Sequence, residues 1–182
     1  MTGIAALYPS QAAETHLAAD ATEEQARSIG SKARNVHFAV HGFFDERLPL
    51  NSGLALTIPE KPSEGQQNGL LQAWEIFEQM RFDADLVVLS ACQTGLGREL
   101  GGEGLIGLTR AFQYAGARSI AASLWSVNDL KTAQLMLRFY KELRDGKSKD
   151  LALRAAQTEL LQKPDSSHPY YWAAFSLIGD WQ

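Results

Sequence analysis

Three apolar runs constrain this chain more than anything else in it: Asn35-Val-His-Phe-Ala-Val40, Asp85-Leu-Val-Val-Leu-Ser90 and Arg118-Ser-Ile-Ala-Ala-Ser-Leu-Trp125. They are too short for core helices and carry little apolar/polar alternation, so they read as strands buried on both faces. Segments with helical spacing fall between and after them. Thr22 with Glu23, Glu24 and Gln25 opens a helix over residues 22–30, with the cap and early acids that a helix start favours. Leu70, Trp74, Ile76, Phe77 and Met80 predict a helix over 70–81, and residues 103–115 predict another that stops at Gly116. Helices at 130–144 and 149–161, a loop at 164–170 and a last strand at 173–178 complete the chain. Residues 43–69 are rich in proline and glycine and read as loop, with room for a short strand at 54–58. Strands alternating with helices give an α/β fold with a mostly parallel sheet flanked by helices.

The sheet directs attention to one edge, because ligands of parallel sheets bind beyond the carboxyl ends of the strands. His41 follows the first run, Cys92 the second, and residues 125–129 the third.

Composition removes other function classes. Seventeen basic residues are scattered among 21 acidic ones, for a net charge of −4, so a basic stripe for nucleic acid is not expected. No apolar stretch approaches the roughly 20 residues that cross a bilayer, and the N-terminus lacks the pattern of a signal peptide. The single cysteine can form neither an intramolecular disulfide nor a multi-cysteine metal site. A soluble, cytoplasmic protein without metal or cofactor is the expectation. At 182 residues the chain suits one domain.

Cys92 lies in Ser90-Ala-Cys-Gln-Thr-Gly95, just past the second run. A lone cysteine is commonly a small buried hydrophobe. Its position in a turn after a central strand, with His41 51 residues upstream, instead suits a nucleophile with an acid–base partner. The caspase pattern Gln-Ala-Cys-[Arg/Gln/Gly]-Gly is matched at Ala91, Cys92 and Gln93, while Ser90 replaces its first residue and Gly95 comes one position late. His41 could equally be a histidine hydrogen-bonded at a strand end. In the catalytic reading its imidazole protonates the departing amine, and the N–H groups of Gly42 and Cys92 form the oxyanion hole. No third triad member is identifiable.

Several motifs together resemble a known family. Val36-His-Phe-Ala-Val-His-Gly-Phe-Phe-Asp45, Asp85-Leu-Val-Val-Leu-Ser-Ala-Cys-Gln-Thr-Gly95, Gly101-Gly-Glu-Gly104, Ala115-Gly-Ala-Arg118, Ser123-Leu-Trp-Ser-Val127, His168-Pro-Tyr-Tyr-Trp-Ala-Ala-Phe175 and Gly179-Asp-Trp181 occur in the order and spacing of a CHAT domain. This caspase-like cysteine peptidase family of clan CD is related to separase and is often attached to TPR repeats. The resemblance implies a caspase-like three-layer sandwich and endopeptidase chemistry, with His41 and Cys92 on the catalytic pair. It further implies that Trp125, Ser126 and Val127 pair with the substrate backbone. In the separase-like pattern Leu-Trp-x-Val-x-Asp, the final acid selects a basic residue before the scissile bond, and here it is Asp129. Asp129 also precedes a helix, where aspartate caps well, so both roles are open. The family domain opens with a strand inside the sheet. By this resemblance the chain is expected to begin in the following helix, at residues 4–8, with a second strand near 15–19. The expectation is a single domain truncated at its N-terminus, leaving the strand at 35–40 with an open edge.

The glycines at 95, 97, 101, 102 and 104 match neither dinucleotide nor phosphate-loop patterns and read as a turn that lets backbone approach the site. His16, His37 and His168 have no ligand partners at usable spacing, Trp74, Trp172 and Trp181 read as core or edge packing, and Arg98, Glu99 and Glu103 as a solvated cluster. Two functions compete: an endopeptidase cutting after a basic residue, and a catalytically silent scaffold module of the same family. A nucleotide-binding α/β protein would need a phosphate loop, and the sequence shows none.

Overall fold

The computed structural model describes residues 2–58, 68–93, 102–126 and 128–182, with Cys92 and Gln93 described by their backbone. The fold is mixed α/β, with a mostly parallel central sheet flanked by helices, as the alternation of apolar runs requires. Its strand order is β1-β5-β7-β8, where β1 is Asn35–Phe38, β5 Leu86–Leu89, β7 Ser119–Ser123 and β8 Phe175–Gly179. All residues of β5 and β7 are buried, in keeping with the wholly apolar β5 and with a β7 whose apolar centre is bounded by buried Ser119 and Ser123. β1 pairs in parallel with β5, Val36 opposite Val87 and Phe38 opposite Leu89.

A second four-stranded sheet, ordered β4-β3-β2-β6, is made of strands two or three residues long. These are β2 (His41–Phe43), β3 (Gly53–Ala55), β4 (Leu70–Gln72) and β6 (Cys92–Gln93). Strands this short leave no periodic signal, and here the structure departs from expectation. His41, expected just past the first strand, opens β2, and Cys92 does not sit in a turn but opens β6. The helix expected over 70–81 is shortened to α3 (Ala73–Gln79), because Leu70–Gln72 pairs with β3. The Gln72 and Glu75 side chains then close a capping box that starts the helix. The strand expected near 15–19 is a 3-10 turn, Ala18–Asp20.

Two compact units are distinguishable, residues 16–120 and residues 1–15 with 121–182. In the first, α4 (Glu103–Tyr114) buries Leu108 and Phe112, whose ring lies 5.5 Å from Phe38 and 5.8 Å from Phe82. Gly116 follows with a φ of +113°, and a Cβ there would lie 2.2 Å from the Phe82 carbonyl oxygen. Glycine thus both ends α4 and admits the neighbouring backbone. The helix predicted at Thr22 is α2 (Glu23–Ser28), with the Thr22 hydroxyl accepting from the Gln25 N–H at 3.3 Å. In the second unit, α1 (Thr2–Ala5) packs on α5 (Asp129–Arg144), and α5 packs on α6 (Lys149–Leu161). The buried sets Leu135, Met136, Phe139, Tyr140 and Ala152, Leu153, Ala156, Leu160 each form one stripe at helical spacing. The expected loop at 164–170 is non-helical up to residue 168, and a short helix α7 (Pro169–Trp172) takes its last two residues before β8. No helix among the described residues is long and apolar enough to cross a membrane.

Candidate active site

His41 and Cys92 are register partners. β2 and β6 run parallel, with His41 opposite Cys92 and Gly42 opposite Gln93. Neighbouring strands in a sheet are spaced about 4.8 Å apart, so a cysteine 51 positions along the chain returns to within one strand spacing of the histidine. His41 is exposed at the first position of β2, whereas Gly42 is buried between β3 and β6, opposite Leu54 as well as Gln93. A Cβ on Gly42 would lie 2.9 Å from atoms of the Phe44 ring and 3.2 Å from the Ala91 Cβ. The close packing beside the histidine therefore depends on glycine.

The loop after β2 is internally tied. The Arg47 and Leu48 N–H groups donate to the Asp45 carboxylate at 2.9 Å each, and these bonds hold its carboxyl below the usual range. The Asp45 N–H donates to the Ser52 hydroxyl, also at 2.9 Å. The same loop reaches the start of α4, where Glu46 accepts from the Glu103 N–H at 3.1 Å and the Gly104 N–H at 3.4 Å. Gly102, the residue at the cap position, has no side chain to do this, so a carboxylate 57 residues upstream supplies the cap. Gly104 and Gly107 let the loop lie against the helix, since a Cβ at Gly107 would lie 2.7 Å from the Pro49 Cβ. Glu46 was not singled out by the sequence. The missing clue was the absence of a capping side chain at Gly102.

Thr94 to Gly101, including Arg98, Glu99 and most of the expected glycine turn, lie outside the described residues, as does Val127. In the second unit, Trp125 donates its indole N–H to the Tyr170 carbonyl at 3.0 Å, and the Ser126 carbonyl accepts from the Tyr170 hydroxyl at 2.6 Å. Asp129 is exposed at the first position of α5. It is not the cap: the Asn128 side chain accepts from the Leu130 N–H at 3.0 Å and the Lys131 N–H at 3.4 Å. Of the two roles open to Asp129 from sequence, capping is taken by its neighbour.

His37, in β1, is held neutral by burial, which pushes its pKa down to about 4. Among the described residues no cluster of histidine, cysteine, aspartate or glutamate could hold a metal ion. Trp74 and Trp181 are exposed, at 37% and 55%, rather than core.

The CHAT domain family matches residues 2–180 of the chain. Tetratricopeptide repeat protein 28 of Mus musculus is 32% identical over 187 residues, covering 87% of this chain and 8% of that protein. The Homo sapiens protein of the same name is 31% identical with the same coverage. The chain therefore spans under a tenth of the length of these relatives. With motifs, fold and family match in agreement, this chain belongs to the CHAT domain family.

Proposed function

We propose that the chain is the catalytic part of a cysteine endopeptidase that cuts after a basic residue. The observation that carries this reading is the register of β2 and β6, in which His41 faces Cys92. In the proposed reaction the Cys92 thiol passes its proton to His41, and the sulfur attacks the carbonyl carbon of the scissile peptide bond. A C–S bond forms, and the carbonyl π electrons move to oxygen, where the Gly42 and Cys92 N–H groups receive the charge. Collapse of this intermediate breaks the C–N bond, and His41 gives its proton to the leaving amine. His41 then takes a proton from water as that water attacks the thioester, and returns it to the sulfur as the C–S bond breaks, restoring the thiol and releasing the acid.

Trp125, Ser126 and Val127 bind the substrate backbone in this reading, and Asp129 receives the basic side chain. Because Asn128 caps α5, the Asp129 carboxylate is left for a guanidinium, which prefers a charged two-oxygen acceptor. The reaction requires no cofactor. A reducing, cytoplasmic setting suits a peptidase whose single cysteine is its nucleophile. Repeats of the TPR type, in the same chain or a partner, are the proposed regulators, since the matched relatives are named for such repeats.

The same names favour a second reading, a catalytically silent interaction module. An acyloxymethyl ketone with arginine beside its reactive group separates the two. Labelling that disappears in Cys92→Ala supports the peptidase, and loss of the arginine preference in Asp129→Ala supports the assigned specificity. A protein carrying its natural flanking sequence that takes no label supports the scaffold.

A further inference from the structure

The segment leaving β7 is held by the turn around α7. The Leu124 N–H donates to the Ala174 carbonyl at 2.7 Å, the Trp125 indole to the Tyr170 carbonyl at 3.0 Å, and the Tyr170 hydroxyl to the Ser126 carbonyl at 2.6 Å. The last two form a reciprocal pair: Tyr170 gives one hydrogen bond to the segment and takes one from it. The turn is itself anchored. His168 caps α7 by accepting from the Tyr170 N–H at 3.2 Å, and the Trp172 indole donates to the Ser167 carbonyl at 3.0 Å. Lys131 at the start of α5 pairs with Asp165 at 2.5 Å. Among the described residues, no hydrogen bond occupies the main-chain N–H and C=O of Trp125.

We infer that Tyr170 is a positioning residue for substrate: its hydroxyl fixes the Ser126 peptide so that the Trp125 main chain is presented to an extended peptide. This rests on the endopeptidase reading and extends it to a residue that does not touch the reacting atoms. A peptide adding itself along a segment gains main-chain hydrogen bonds only if that segment is already held in place. Tyr170 is suited to the task because the residue is 45% exposed, so the hydroxyl can be removed without opening a buried cavity.

The test uses Tyr170→Phe and two reagents on the protein with its natural flanking sequence. Iodoacetamide alkylates the thiolate, releasing iodide, and needs no peptide binding. The arginyl peptide acyloxymethyl ketone forms its thioether by expelling a carboxylate, and needs the peptide to align first. The expected result is a roughly 3- to 10-fold slower reaction with the peptidyl reagent, the loss of about one hydrogen bond, with unchanged iodoacetamide reaction and unchanged melting temperature. A wild-type protein that reacts with the peptidyl reagent and a Tyr170→Phe protein that reacts equally fast would overturn the role of Tyr170 alone. A wild-type protein that takes iodoacetamide but never the peptidyl reagent would overturn the endopeptidase reading and this role with it. If Tyr170→Phe melts early, both reactions are measured well below its melting temperature, with equal peptidyl-reagent rates for the two proteins counting against the role.

Discussion

His41 and Cys92 stand directly opposite each other across a parallel pair of strands only two and three residues long. That pair belongs to the small sheet rather than to the central one, so the backbone around the histidine is set by short pairings and by the contacts of Gly42.

Gly42 is the first point at which this arrangement is testable. Gly42→Ala places a methyl group against the Phe44 ring and the Ala91 side chain. The ring can turn aside, but Ala91 is buried and cannot. Overpacking of this kind costs about 1–3 kcal/mol. Urea denaturation should report that loss, and labelling by the arginyl probe should slow as His41 is displaced. Unchanged stability would mean that the neighbours give way freely.

Glu46 is expected to hold the start of α4 against the loop that follows His41. Removing the carboxylate in Glu46→Ala leaves the Glu103 and Gly104 N–H groups without their acceptor. Lost caps cost about 1 kcal/mol, and hydrogen exchange at residues 103–106 should accelerate by about fivefold at that cost. Glu46→Gln, which keeps an acceptor oxygen, should recover part of the protection. Equal exchange in all three proteins would remove Glu46 from the cap.

Arg27 should matter more to stability than its half-exposed position suggests. Its guanidinium pairs with Glu23, which is 1% exposed, and with Glu75 at 2.7 Å, joining α2 to α3. Arg27→Ala strands the Glu23 carboxylate in the interior, a change that costs about 3–5 kcal/mol. The double variant Arg27→Leu with Glu23→Leu removes both charges and should be more stable than Arg27→Ala. If the double variant is the weaker protein in denaturant titration, the pair is a net stabiliser in its own right.

His37 predicts a pH dependence. Its folded pKa of about 4 lies below the ordinary value of 6.5, so the unfolded chain takes up a proton that the folded chain refuses. The stability from this group is complete above pH 6.5, is lost as pH falls from there to about 4, and changes no further below that. Between pH 7 and pH 5 the loss is about 2 kcal/mol. His37→Leu should flatten this part of the curve in parallel denaturant titrations, and an unchanged slope would assign the dependence to other groups.

Much of this molecule is determined by patterns within short windows of sequence. The apolar runs at β5 and β7, the Thr22 cap, the stop at Gly116 and the helix at residues 149–161 each follow from neighbouring residues, whose propensities and spacing act locally. The order of the histidine and cysteine motifs likewise pointed to the family. Tertiary structure decided the rest. Only packing could choose Asn128 over Asp129 as the cap of α5, bring Glu46 to a helix 57 residues away, or join Tyr170 to Ser126. Strands of two or three residues carry too few side chains to register a period, and their pairing is fixed by partners distant in the chain. The alignment of His41 with Cys92 is therefore a property of the folded backbone, not of either local sequence.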